Sequence, residues 1–154
     1  MSLGVNSPLY VGLLATHVGL GVVGYGSNAV AGWYAARAKA GVIDEEMRRF
    51  LGDGIALAQW CVILVPVAGV ALLADHNLAD VGRSWFIGAV ASWVVTAVVL
   101  ISVGWPAQRR ITRELATAFP NLKTVKTSAS AMLRSQQLAV LLYLLAFTFM
   151  LFKP

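Results

Sequence analysis

The stretch Ser84–Gln108 reads SWFIGAVASWVVTAVVLISVGWPAQ, and Arg109-Arg110 follow it. It contains no Asp, Glu, Lys or Arg. A helix needs about 20 apolar residues to cross a bilayer, and this run is long enough. It does not alternate polar and apolar residues as a barrel strand would. Each unpaired backbone group in lipid costs several kcal/mol, and a helix pairs its own. The run therefore predicts a membrane-spanning helix. Trp105-Pro106 lie near its end, where proline helps stop it.

Three further charge-free runs flank this one: Met1–Ala36, Gly54–Ala74 and Ser135–Phe152. They place transmembrane helices near 9–34, 54–74, 85–105 and 135–152. Composition agrees. Of 154 residues, 58% are hydrophobic and 12% charged, with a mean hydropathy of +0.74. Soluble domains average about 45–50% apolar and about 25% charged. A soluble enzyme, a disordered tail and a disulfide scaffold are excluded. The expected fold is all-α: one domain, 1–154, forming a polytopic four-helix transmembrane bundle with the lipid bilayer as its first partner. Met1-Ser2-Leu3-Gly4 lacks the positive n-region of a secretory signal, so the first span is expected to be retained. Cys61 is a lone cysteine inside an apolar run and reads as a packing residue.

Basic residues cluster between spans. Arg37, Lys39, Arg48 and Arg49 fill the first loop; Arg109, Arg110, Arg113, Lys123, Lys126 and Arg134 fill the third. The second loop holds only Arg83. Lys and Arg favour the cytoplasmic side, so the chain is expected to run N-out/C-out. This explains the net charge of +5 with no nucleic-acid partner, and the loops would also attract anionic headgroups. Tyr10 and Trp85 are expected at the outer interface, and Trp33, Tyr34 and Trp105 at the inner one. Asp44–Phe50 begins acidic and ends basic, as a helix dipole favours. Ile111, Leu115 and Phe119 form a stripe expected to lie on the membrane surface or on a partner, if the third helix continues over 109–119. Pro120-Asn121 breaks it. Pro66 predicts a kink in the second span.

His17 lies about 12 Å into the first helix, at 1.5 Å per residue. Ionisable groups at such depth are functional candidates. Gly21, Gly24 and Asn28 share its face. Two readings follow. Small residues let helices pack closely, with His17 bonding a neighbour; or the glycines leave a groove for a flat macrocycle, with His17 on the metal of haem b. Gly12, Gly19 and Gly26, spaced by seven, form a packing seam on another face. Gly19–Gly24 matches G-x-G-x-x-G, but mid-membrane it has no strand before it. Asp75, His76, Asn77 and Asp80 are a metal-site candidate in the second loop. Asp53 and Gln59 fall near the start of the second helix, and Gln59, Ser92 and Thr96 are candidates for interhelical hydrogen bonds. There is no G-x-S-x-G and no H-E-x-x-H. No chain of ionisable groups crosses the membrane, which argues against a pump or proton-coupled transporter.

Thr16–Gly26, the Trp105-Pro106 ending with Gln108-Arg109-Arg110, and the close Phe149–Pro154 together resemble a bacterial family of predicted integral membrane proteins of unknown function. That family is similar, distantly, to the copper-resistance D family and to the membrane-embedded, haem-binding protoporphyrinogen oxidase. The resemblance implies a four-helix core in the inner membrane, with His17 matching the haem-ligating histidine. The oxidase also looks to need a lysine in a later helix, and this chain has none in its second or third span. The copper-handling relatives imply outward methionines and histidines, for which Met150 and His76 are the candidates.

Few convergent polar groups are present. The favoured expectation is thus an accessory or structural subunit of a larger respiratory or redox membrane complex, with other membrane subunits as partners. The alternatives are a haem-b protein for electron transfer or porphyrin oxidation, with His17 as axial ligand, and copper or small-solute transport.

Overall fold

The computed structural model describes residues 7–52, 55–75 and 81–152. Helix α1 spans Pro8–Lys39, α2 Glu45–Gly52, α3 Leu57–Asp75, α4 Ser84–Val99, α5 Trp105–Leu115 and α6 Leu122–Phe152. A π turn, Leu100–Gly104, joins α4 to α5 without a break. Among the described residues there is no strand. Four helical stretches are long and apolar enough to cross a membrane: Pro8–Lys39, Leu57–Ala74, Ser84–Leu115 and Leu122–Phe152. This is the build of a multi-pass membrane protein, in an all-α helix bundle.

Local sequence explains where the helices start and stop. The Ser7 hydroxyl accepts from the Tyr10 amide at 3.1 Å, and Pro8 sits at the first helical position, where a missing N–H is harmless. At the other end of α1, Gly41 takes φ +85°. Its amide donates to the Ala38 carbonyl, and the Val42 amide donates to Arg37 at 2.9 Å. This is the paired-carbonyl stop that glycine permits. The Asp44 carboxylate caps α2 by accepting from the Met47 amide at 2.8 Å and pairs with Arg37. Asn121 Oδ1 caps α6, accepting from the amides of Lys123 and Thr124.

Two helices outrun the spans expected from hydropathy: the first continues to Lys39 rather than residue 34, and the last starts at Leu122 rather than 135, whereas the second starts three residues late, at Leu57. Charge ends a lipid-facing run but not a helix. At about 1.5 Å per residue, α1 and α6 exceed the roughly 30 Å hydrocarbon core by more than two turns. Pro66 sits inside α3. It has no N–H to offer the Val62 carbonyl one turn back, and the Trp93 indole donates to that carbonyl instead, at 2.8 Å.

The third span does continue past Trp105, but it stops at Leu115. Its stripe is corrected: Ile111 and Leu115 are buried inside the chain, and Phe119 lies beyond the helix, 94% exposed. The π turn makes this possible. Buried positions Ser92, Thr96, Leu100, Gly104 and Gln108 step by fours. A helix of 3.6 residues per turn would rotate such a series off one face. A π turn absorbs the extra residue, so α4 and α5 present their buried stripes to the same side.

Two buried clusters result. One joins Tyr34, Met47, Leu51, Ile111, Leu115 and Met132 at the end carrying α2 and α5. The other joins Tyr25, Val62, Leu100, Trp105 and Ala139 within the apolar half. In the first, α2 and α5 cap each other: Thr112 Oγ1 donates to the Leu51 carbonyl at 2.6 Å and Arg48 donates to that of Leu115. Tyr34 and Trp105 are thus core residues, 4% and 2% exposed, whereas Trp33 is 53% exposed. The inner aromatic belt expected from sequence is reduced to Trp33, because the other two rings lie on the packed faces of their helices.

Helices approach where glycine allows. A Cβ on Gly24 would come within 2.5 Å of the Val62 amide nitrogen, one on Gly88 within 2.8 Å of the Phe149 ring, and one on Gly104 within 2.8 Å of Ser135 Oγ. The Gly12–Gly19–Gly26 seam does not join this set. A Cβ on any of the three meets nothing within 4 Å. Regular spacing marked a face of α1, but α3 and α6 cover the other faces.

Candidate functional site

His17 meets α3. Its Nδ1 lies 2.9 Å from the Val65 carbonyl oxygen. A carbonyl only accepts, so this bond requires the proton on Nδ1 and leaves the lone pair on Nε2. Gly69 makes room for the ring: a Cβ there would lie 3.1 Å from His17 Cε1. The imidazole is therefore held by α3 in one tautomer, the arrangement that orients histidine ligands in metal sites.

The rest of the expected face is occupied by protein. Gly24 presses on Val62 and Cys61, and Gly21 faces Tyr143 at 3.7 Å from a built Cβ. Tyr143 in turn stacks on Tyr25, with centroids 4.2 Å apart. Asn28 is fully buried, and its Nδ2 donates to the Gly24 carbonyl at 2.8 Å. His17, Gly21, Gly24 and Asn28 do share a face, but as packed they do not fit a haem: the groove over the glycines is filled by Val62 and Tyr143. The close-packing reading describes the contacts seen.

Polar side chains elsewhere in the bundle are largely engaged. Gln59 Nε2 donates to Gln108 Oε1 at 3.1 Å, joining α3 to α5, and Gln59 Oε1 also accepts from the Ala56 amide. Ser92 does not bond across helices as expected; it donates to Gly88 in its own helix. Thr96 donates to Ser92 and also meets the Tyr25 hydroxyl of α1. Cys61 is half-buried. Sequence reasoning missed Val65 and Gly69, which position His17, and Gln108, which completes the glutamine pair. Pro66 was the legible signal for the freed Val62 carbonyl that Trp93 takes.

Among the described residues, the buried polar atoms that find no hydrogen-bond partner are Asn28 Oδ1, Trp105 Nε1 and both amide atoms of Gln136. Gln136 lines a groove of about 530 Å³ between α1 and α6, with Ala29, Gly32, Trp33, Gln137 and Leu141. Among the described residues no group of three His, Cys, Asp or Glu comes together. Asp53, His76, Asn77 and Asp80, with Lys153 and Pro154, lie outside the described residues.

Compared with known proteins, the chain matches no family model, no curated protein and no solved structure.

Proposed function

We propose that the chain is a small accessory or structural subunit of a larger membrane assembly, with other membrane proteins as partners. The observation that carries this reading is the open seam of Gly12, Gly19 and Gly26, none of which has a neighbour within 4 Å of a built Cβ. Small residues repeated every seven let a second helix approach closely at a shallow left-handed crossing. Val11, Val18 and Val22 beside the seam are all more than half exposed, at 53%, 53% and 59%, and would pack around that helix. The proposed setting is a bacterial inner membrane, with both chain ends outside and the basic loops in the cytoplasm, as the distribution of Lys and Arg favours.

The test is recovery from native membranes in mild detergent, followed by mass spectrometry. A membrane protein accompanies the wild-type chain and is lost from Gly19→Leu, whose helicity stays unchanged because the seam is open. Recovery of the wild-type chain alone overturns the reading.

A further inference from the structure

We propose that the α1–α6 groove is a binding site for an anionic phospholipid. The groove, about 530 Å³, is walled by Ala29, Gly32 and Trp33 on one side and Gln136, Gln137 and Leu141 on the other. On α6 the chemistry changes in a fixed order from Arg134, which flanks the lining residue Leu133, into the wall itself. Arg134, Gln137 and Leu141 follow at i, i+3 and i+7, along one side of the helix. Arg134 is exposed and forms no ion pair among the described residues. Gln137 is exposed as well, although most residues lining the groove are apolar. Leu141 is 63% exposed.

That order matches a phospholipid read from headgroup to tail. From Arg134 to Leu141 the helix rises about 10 Å at 1.5 Å per residue. The headgroup region of each leaflet is roughly 5–8 Å deep, half the difference between the whole bilayer and its hydrocarbon core. Arg134 then stands at the phosphate, the Gln137 amide at the ester carbonyls, and Leu141 with Ala29 against the acyl chain.

Gln136 also lines the groove, but its amide is sealed by protein, with the residue 1% exposed. The amide open to an ester carbonyl is that of Gln137, which lines the groove and is exposed. On the opposite wall Arg37 lies over the Trp33 ring, 4.8 Å from its centroid, but is already paired with Asp44. Arg134 is therefore the cation available to the phosphate. A partner helix would satisfy the apolar wall but gives no reason for an arginine without an ion pair beside it.

The test uses the full chain in detergent, titrated with phosphatidylglycerol or phosphatidylcholine of identical acyl chains and read by native mass spectrometry. Wild type retains phosphatidylglycerol in preference, and Arg134→Ala reduces that preference about fivefold, the weight of one basic residue near an anionic surface. Ala29→Phe, which fills the groove and leaves every charge in place, reduces retention of both lipids. Arg110→Ala, an equal loss of charge on α5, leaves the preference unchanged. Equal retention of the two lipids by wild type overturns the proposal. So does an equal loss in Arg110→Ala, which would mean general surface charge. If Ala29→Phe instead releases a co-purifying membrane protein and leaves lipid retention intact, the groove holds a helix and the proposal fails.

Discussion

Gly24 sets the distance between α1 and α3. The contact it makes is with backbone, the Val62 nitrogen, so a methyl group cannot be accommodated by turning a side chain. Gly24→Ala is expected to destabilise the bundle by about 1–3 kcal/mol, the usual cost of overpacking. Gly19→Ala, on the open seam, is expected to be neutral or slightly favourable, since alanine is the better helix former. Thermal unfolding in detergent, followed by helicity, compares the two. The same pair of glycines marks what the sequence could say. Helical spacing correctly put His17, Gly21, Gly24 and Asn28 on one face. Whether that face met a ligand or a helix depended on Val62, Val65 and Gly69, far along the chain, and no local pattern carries such information. The seam of Gly12, Gly19 and Gly26 was legible as a packing stripe on another face of α1, but a period identifies a stripe and not its neighbour.

At the scale of elements, the four apolar runs were legible because lipid leaves an unmistakable mark on composition. Helix ends were less so, since α6 begins at a polar cap, Asn121, well before its apolar run. The π turn left its trace in the fourfold stepping from Ser92 to Gln108, visible once burial is known. It carries a prediction. Removing Ser102, an exposed residue whose hydroxyl bonds only back to Val98, closes the π turn into an ordinary α turn and keeps both buried stripes in phase. Removing Val94 from α4 instead turns one part of the helix about 100° against the other. Monodisperse yield and helicity in detergent are expected to stay near wild type for the first deletion and to collapse for the second.

For the whole molecule, charge is concentrated at one end. Arg48, Arg49, Arg109, Arg110, Arg113, Lys123 and Lys126 surround α2, α5 and the start of α6. An epitope inserted after Phe119 is expected to be protected from external protease in sealed right-side-out vesicles, and one at the N-terminus to be cleaved; the reverse result inverts the proposed sidedness. The same asymmetry gives the chain two solvents. The cluster of Met47, Leu51, Ile111 and Leu115 sits among these charges, so water drives its assembly. The cluster around Val62 and Trp105 is bordered by exposed apolar side chains, where lipid competes and only close packing discriminates. Burial from water loses strength on cooling, whereas dispersion contacts carry no such heat-capacity signature. Near freezing, amide protons of α2 are thus expected to exchange faster relative to those of α3, and the polar cap would be the part of this membrane protein that fails in the cold.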